Sequence, residues 1–160
     1  NVDNPAELAT LVAALEDIAG QIPLVFPVHP RTQQRITAAR LGRSSSQMLM
    51  IDPVSYLDFL ALEQSAKFVI TDSGGVQEET TYLHVPCLTM RPNTERPITI
   101  TEGTNELIGQ DFNRLRMAIT EILDGHTKTG LVPPLWDGHA GDRIAAIIAG
   151  SASTRSARNA

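Results

Sequence analysis

The chain has 160 residues, 42% of them hydrophobic, and a formal net charge of −5. That length and apolar content suit one domain with a real core, and the acidic balance excludes a general basic field for nucleic acid, so a bound phosphate must be held by local geometry. A single cysteine, Cys87, allows no internal disulfide and fits a reducing cytoplasm, no run approaches the ~18 apolar residues of a membrane span, and the opening NVDNPAEL is not a signal peptide.

The first expected element is a helix that begins almost at once. Asn4 reads as its N-cap, Pro5 as its first residue and Glu7 as a box-like carboxylate. Leu8, Leu11, Val12, Leu15 and Ile18 then fall on one face, and the helix closes near Gly20. A regular alternation follows. Strand Leu24 to Val28 leads to a helix from about Pro30 to Leu41, closed by Gly42, and strand Met48 to Ile51 leads to a helix from Tyr56 to Ser65. The strand KFVI leads to a helix over QEETTYL, and CLTM leads to the loop RPNTERP. A short strand near Glu106 to Ile108 leads to a helix through Phe112, Leu115, Ile119 and Ile122. The strands are short apolar runs without alternation, as expected where helices cover both faces of a parallel sheet, and a Rossmann-like doubly wound α/β domain follows. Gly125 to Trp136 reads as a loop before a last helix around Asp142 to Ala149, and residues 151–160 as a flexible tail. The chain contains no internal repeat.

The segment from Thr71 to Glu95 carries the chemistry. An apolar strand ending in the turn TDSGGVQEE, which opens a helix, offers unpaired amides and a positive dipole end to an anion, and the adjacent glycines Gly74 and Gly75 let a ligand come close. The same residues would equally make a tight turn capped by Asp72 or Ser73. Glu78 and Glu79 are expected in the first helical turn, where carboxylates commonly just balance the dipole. Arg91 and Arg96 flank the next loop, either as solvated surface side chains or as cations able to reach a ligand at the carboxyl ends of the strands. Phe59 suits a core position, and His29 suits a turn. His84, His126 and His139 have no metal-ligand spacing and no nucleophile beside them. Cys87, inside an apolar strand, reads as a core thiol.

Taken together, FPVHP, TDSGGVQEE, RPNTERP, TEGTNELIG and LWDGHAGDRI, in that order, resemble the C-terminal half of the non-hydrolysing UDP-N-acetylglucosamine 2-epimerases. The resemblance runs nearly the whole chain, at least to Ala149. It implies the C-terminal half of a glycosyltransferase-B-like two-domain fold, with residues 1–150 as the UDP-binding domain. It also implies that the chain starts at a domain boundary, because the His-Arg motif that leads into the first helix in that family is absent before Asn1. By this resemblance the backbone near Val54 and the ring of Phe59 meet the uracil, Ser73, Gly74 and Gly75 hold the diphosphate with Arg96, and Glu79 takes the ribose. His29 corresponds to a histidine linked to a second, activating UDP-GlcNAc site. Glu78 keeps its plain reading and Arg91 is a candidate for indirect support.

The reaction so implied eliminates UDP from UDP-GlcNAc to leave a 2-acetamidoglucal, then re-adds it with the opposite configuration at C2 to give UDP-ManNAc. No cofactor or metal is expected. The acid and base at C2 belong to the N-terminal domain, so this chain alone is expected to be inactive, and a homodimer is expected of the full-length protein. Two other readings share the fold: the nucleotide half of a UDP-sugar glycosyltransferase, and a non-catalytic UDP-binding module. No nucleic acid or membrane partner is expected, and the family places the protein in cell-surface polysaccharide biosynthesis.

Overall fold

The computed structural model describes residues 4–42 and 47–157. It contains, in chain order, α1 (Pro5–Ala19), β1 (Leu24–Pro27), α2 (Pro30–Ala38), β2 (Met48–Ile51), α3 (Tyr56–Ser65), β3 (Val69–Thr71), α4 (Gly74–Leu83), β4 (Cys87–Thr89), α5 (Pro97–Thr101), β5 (Asn105–Leu107), α6 (Phe112–Leu123) and α7 (Ala140–Ala157). The strand-helix alternation is as the sequence predicts except for the short helix α5, which stands where only a loop was expected, and the result is a mixed α/β fold built on parallel pairing. The chain divides into two compact units, one of Asn1–Ser65 with Asp111–Asp124 and one of Ala66–Gln110 with Gly125–Ala160.

In the first unit β1 and β2 pair in parallel, Leu24 opposite Met48 and Pro27 opposite Ile51. Helix α1 packs on both strands and on α2. The residues expected on its inner face behave accordingly: Leu8, Val12, Leu15 and Ile18 are buried and Leu11 is half-buried. Its start is as predicted, with Asn4 Oδ1 accepting from the Ala6 amide at 3.0 Å and Asn4 Nδ2 donating to Glu7 at 3.3 Å. Helix α6 adds Leu115, Ala118, Ile119 and Ile122 to the buried set, and Arg116 Nη2 donates to Asp17 on α1 at 2.6 Å. The expectation of strands buried on both faces fails here, since Val25 and Leu49, opposite one another in register, are 43% and 59% exposed.

Helix α2 stops sooner than predicted, and not at Gly42. Arg40 takes a left-handed conformation at φ 56°, its amide returns to Thr37 O and that of Leu41 to Ile36 O. These two bonds make a Schellman close with an arginine where glycine is usual, a substitution that residue statistics do not anticipate.

In the second unit β3, β4 and β5 form a parallel sheet with β4 in the middle, Cys87 standing between Val69 and Asn105. The central strand is buried throughout, Cys87 included, while β3 at the edge is half-buried. Helix α4 packs on all three strands and on α5. From Gly125 to Trp136 the chain has no helix or strand, as expected of a loop. Lys128 Nζ ties this loop down by donating to the carbonyls of Asn105, at 2.9 Å, and Ile100. Helix α7 is longer than predicted at both ends and takes in most of the expected tail, through Ala157; residues 158–160 lie outside the described residues. Small residues without proline let the helix continue there.

Candidate functional site

At the carboxyl end of β3 the chain makes its sharpest commitment. Thr71 Oγ1 accepts from the Ser73 amide at 3.0 Å, and Ser73, extended at φ −87° and ψ 133°, is the N-cap of α4. Its side chain makes no capping bond, against the expectation that Asp72 or Ser73 would close the turn. Only with Gln77, whose amide reaches Ser73 O at 3.4 Å, does α4 begin to satisfy its own donors. The amides of Gly74, Gly75 and Val76 have no hydrogen-bond partner among the described residues, and they sit at the positive end of the helix dipole.

The two glycines leave this end uncovered. A Cβ added at Gly74 would meet nothing within 4 Å, and one at Gly75 only the Ser73 Oγ at 3.9 Å. Neither glycine has a positive φ, so no left-handed backbone angle calls for glycine at either position. These residues fit ordinary helical geometry, and what their missing side chains provide is open space over the amides.

Because α4 starts at Gly74, neither Glu78 nor Glu79 lies in its first turn, as the sequence had suggested. Helical spacing instead stacks Glu78 four residues after Gly74 and Glu79 four after Gly75, along the two rows that lead to the open amides. Glu78 is not the bystander expected. Its Oε1 lies 2.8 Å from Arg96 Nε, with both side chains about two-fifths exposed (41% and 39%). The Glu79 carboxylate is half-buried and has no hydrogen-bond or ionic partner among the described residues.

Arg96 is thereby held against α4. It is also the N-cap of the five-residue α5, and its Nη1 donates to Glu95 O at 3.3 Å. Among the described residues Arg91 reaches only Glu95, at 4.0 Å. Ser73, Gly74, Gly75, Glu79 and Arg96 thus gather about one end of α4, brought there by β3 and by the loop after β4. With Val76 they present three amides that have no partner among the described residues, a hydroxyl, a carboxylate and a guanidinium paired with Glu78, a set that suits an anion flanked by hydroxyl donors.

In the first unit, Val54 is exposed in the connection from β2 to α3, and Phe59 is half-buried in the first turn of α3. Ser55 starts that helix, its Oγ donating to Asp58 at 2.6 Å and accepting from the Asp58 amide at 3.3 Å. His29 is the exposed N-cap of α2, with Nδ1 accepting from the Arg31 amide at 3.3 Å. The plain expectation for His29, a residue of the turn, is therefore met by one ring nitrogen.

Elsewhere in the second unit, burial lowers the Lys128 ammonium from its ordinary value, opposed by Glu106. Near α7, hydrogen bonds from Arg143 to both carboxylate oxygens, at 2.9 and 3.0 Å, hold the exposed Asp137 at a pKa of about 2. A cavity of about 340 Å³, lined by Lys67, His84, Pro86, Lys128 and neighbours, lies where Lys67 and Pro86 precede β3 and β4, away from the Ser73 turn, and includes none of the residues that the resemblance assigns to UDP. Among the described residues no three His, Cys, Asp or Glu side chains gather as metal ligands, and no helix is long and apolar enough to cross a membrane.

Sequence reasoning missed Glu78, Gln77, Thr94 and Asn105. Asn105 alone left a signal, as a residue that disfavours strands placed inside one. Gln77 and Thr94 lie in the quoted motifs, but spacing does not say that they turn inward.

Residues 1–149 match the profile of the UDP-N-acetylglucosamine 2-epimerase family. The Methanocaldococcus jannaschii UDP-N-acetylglucosamine 2-epimerase is 39% identical over 153 residues, 92% of this chain and 41% of the relative. A Pseudomonas aeruginosa UDP-2,3-diacetamido-2,3-dideoxy-D-glucuronate 2-epimerase is 37% identical over 157 residues, 93% and 41% of the two chains. The crystal structure of the M. jannaschii UDP-GlcNAc 2-epimerase in complex with UDP-GlcNAc and UDP superposes with a TM-score of 0.80 at 39% identity, covering 93% of this chain and 42% of that one. The chain thus spans about two-fifths of the length of these relatives, and with its parallel α/β architecture and its open Ser-Gly-Gly helix end it belongs to the UDP-N-acetylglucosamine 2-epimerase family.

Proposed function

We propose that this chain is the UDP-binding part of a UDP-N-acetylglucosamine 2-epimerase, with the open end of α4 as the seat of the diphosphate. The observation that carries the reading is the set of amides at Gly74, Gly75 and Val76, without partners among the described residues, beside glycines whose missing side chains would meet at most the Ser73 Oγ at 3.9 Å. The relatives add support. One at 39% identity is named for UDP-GlcNAc and one at 37% for a UDP-diacetamido glucuronate, so both named substrates carry UDP on a 2-acetamido sugar.

In this reading the second unit supplies the Ser73 hydroxyl and the amides of Gly74 and Gly75 to the phosphates. Arg96 turns from Glu78 to the same anion: an ion pair so exposed is worth only about 0–1 kcal/mol, so a diphosphate can displace it. Glu79, without a partner among the described residues, accepts from the ribose hydroxyls. In the first unit the Val54 backbone and the Phe59 ring are assigned to the uracil. His29 is assigned to a second UDP-GlcNAc site in the longer protein.

The chemistry follows from holding UDP as it leaves and returns. Fixed donors aimed at the diphosphate stabilise the charge that develops when the bond at the anomeric carbon breaks, and need no reorganisation at that moment. Proton removal and return at C2 fall to residues outside this chain, in the remainder of a glycosyltransferase-B-like protein, and the chain alone should not interconvert UDP-GlcNAc and UDP-ManNAc. The full protein is proposed to act in the cytoplasm as a homodimer, without cofactor, supplying amino sugars to cell-surface polysaccharides. Calorimetry tests the cradle. UDP should bind more tightly than UMP and UMP more tightly than uridine, whereas equal affinities would remove the diphosphate from the account.

A further inference from the structure

The loop that carries Arg96 has little to hold it from within. Its following helix, α5, is five residues long, and Arg96 caps it at φ −122° and ψ 58° with no side-chain bond to the helix amides. Something outside the loop must set the place of the guanidinium. Four buried or half-buried side chains around Arg96 do this through one continuous set of hydrogen bonds.

Gln77, wholly buried on α4 beside Glu78, accepts at Oε1 from Thr94 Oγ1 at 2.6 Å and from Asn105 Nδ2 at 3.2 Å. Asn105, wholly buried in β5, also donates from Nδ2 to Thr99 Oγ1 at 3.1 Å and accepts at Oδ1 from Thr89 Oγ1 at 2.6 Å. The two threonine hydroxyls then take Arg96 by its backbone. The Arg96 amide donates to Thr94 Oγ1 at 2.9 Å, and Thr99 Oγ1 donates to Arg96 O at 2.7 Å. Each hydroxyl has one proton. That of Thr94 goes to Gln77 and that of Thr99 to Arg96, so each also accepts and the direction of the chain of bonds is determined.

We propose that Gln77, Thr94, Thr99 and Asn105 act as positioning residues, a buried clamp that holds Arg96 in register with α4 so that its guanidinium stands at Glu78 before ligand arrives. An apolar core of the same volume would fill the space, but would not dictate which backbone groups of the loop face inward; a connected polar network does. The network leaves one atom over, since the buried Gln77 Nε2 has no acceptor among the described residues. The consequence for ligand rests on the proposed diphosphate site: with the arginine already placed, binding does not have to order it.

The test uses Thr94→Val, which keeps the shape of a half-buried loop residue and removes the hydroxyl joining Gln77 to the Arg96 amide, with Thr94→Ser as the conservative variant. On the ¹⁵N-labelled chain without ligand, Arg96 Nε–H should give a resonance distinct from those of exposed arginines. It should merge with them in Thr94→Val and return in Thr94→Ser. With UDP, Thr94→Val should weaken binding roughly fivefold or more, and should add nothing once Arg96→Ala is present, because both changes remove the same contact. An Arg96 Nε–H resonance unmoved by Thr94→Val overturns the clamp, whether or not UDP binds. A loss of affinity undiminished in the Arg96→Ala background also overturns it, since the threonine would then act on something else. If the unaltered chain binds no UDP, the diphosphate reading falls while the ligand-free resonance still decides the clamp.

Discussion

Helices α4 and α6 both begin where a parallel strand ends, yet their amino ends are finished differently. Asp111 closes α6 with its own carboxylate, Oδ1 accepting from the Asn113 amide at 2.9 Å and the Arg114 amide at 3.0 Å. At α4 the N-cap Ser73 makes no such bond, and two glycines take the places where side chains would shade the amides. The same backbone donors are thus spent on stability in one helix and left available in the other. Capping typically contributes about 0.5–2 kcal/mol, so the open end is the costlier choice for a protein with nothing to bind there.

The largest effect should come from covering the open end. Gly74→Val or Gly75→Val places branched carbons over the amides, removing two or more charge-assisted contacts, and UDP affinity should fall on the order of 100-fold. The fold should tolerate both, since the added atoms meet open space. Gly103→Ala makes the contrast: its Cβ would lie 2.5 Å from Thr81 Cγ2 and 2.6 Å from Thr99 O, so it should lose about 1–3 kcal/mol of stability instead. Thermal unfolding with and without UDP separates these outcomes, and equal destabilisation by all three variants would return the glycines of the turn to a purely structural role.

Next in size is Arg96→Ala, expected to weaken UDP about tenfold, with a loss of stability no greater than about 1 kcal/mol from its half-exposed pair with Glu78. Unchanged affinity by calorimetry would leave Arg96 as a surface ion pair. The two helix ends themselves supply the third comparison. Asp111→Ala should cost about 0.5–2 kcal/mol in chemical denaturation and leave UDP affinity unchanged, while Ser73→Ala should change stability by less than about 0.5 kcal/mol. A larger stability loss at Ser73 than at Asp111 would invert the account.

The smallest effect concerns Asp137, which lies in neither helix end. Its carboxyl is held at about 2, below the ordinary 3.8, first by the hydrogen bond from Arg143. A depressed carboxyl contributes stability above its ordinary value, and that contribution disappears as pH falls through about 2. An NMR titration should find the Asp137 midpoint near 2, and Arg143→Gln should return it toward the ordinary value; a midpoint near 3.8 in the unaltered chain would show that the pair does not persist in solution.

What the sequence reveals follows what each feature depends on. The strands and longer helices are local and periodic, so their order and many boundaries could be read directly, from the Asn4 cap to the Ser65 end of α3, while the five-residue α5 is too short to leave a periodic signal and was read as loop. The close of α2 at Arg40 could not, because a left-handed arginine is imposed by the chain reversal and not preferred by the residue. The Ser-Gly-Gly turn was legible as a candidate site, but whether Asp72 or Ser73 would cap it was not, and in the structure the Ser73 side chain makes no capping bond. Glu78 was misjudged because its partner is contributed by a loop eighteen positions away, and Gln77, Thr94 and Asn105 because inward-facing polar bonds between separate elements leave no periodic trace.

The comparison of the two helix ends can be tested amide by amide. In a ¹⁵N-labelled sample titrated with UDP, the resonances of Gly74, Gly75 and Val76 should shift most, while those of Asn113 and Arg114, already bonded to Asp111, should stay in place. UDP binding that leaves Gly74, Gly75 and Val76 unmoved, or no shift at millimolar UDP, would contradict the assignment of the open end of α4 to the diphosphate.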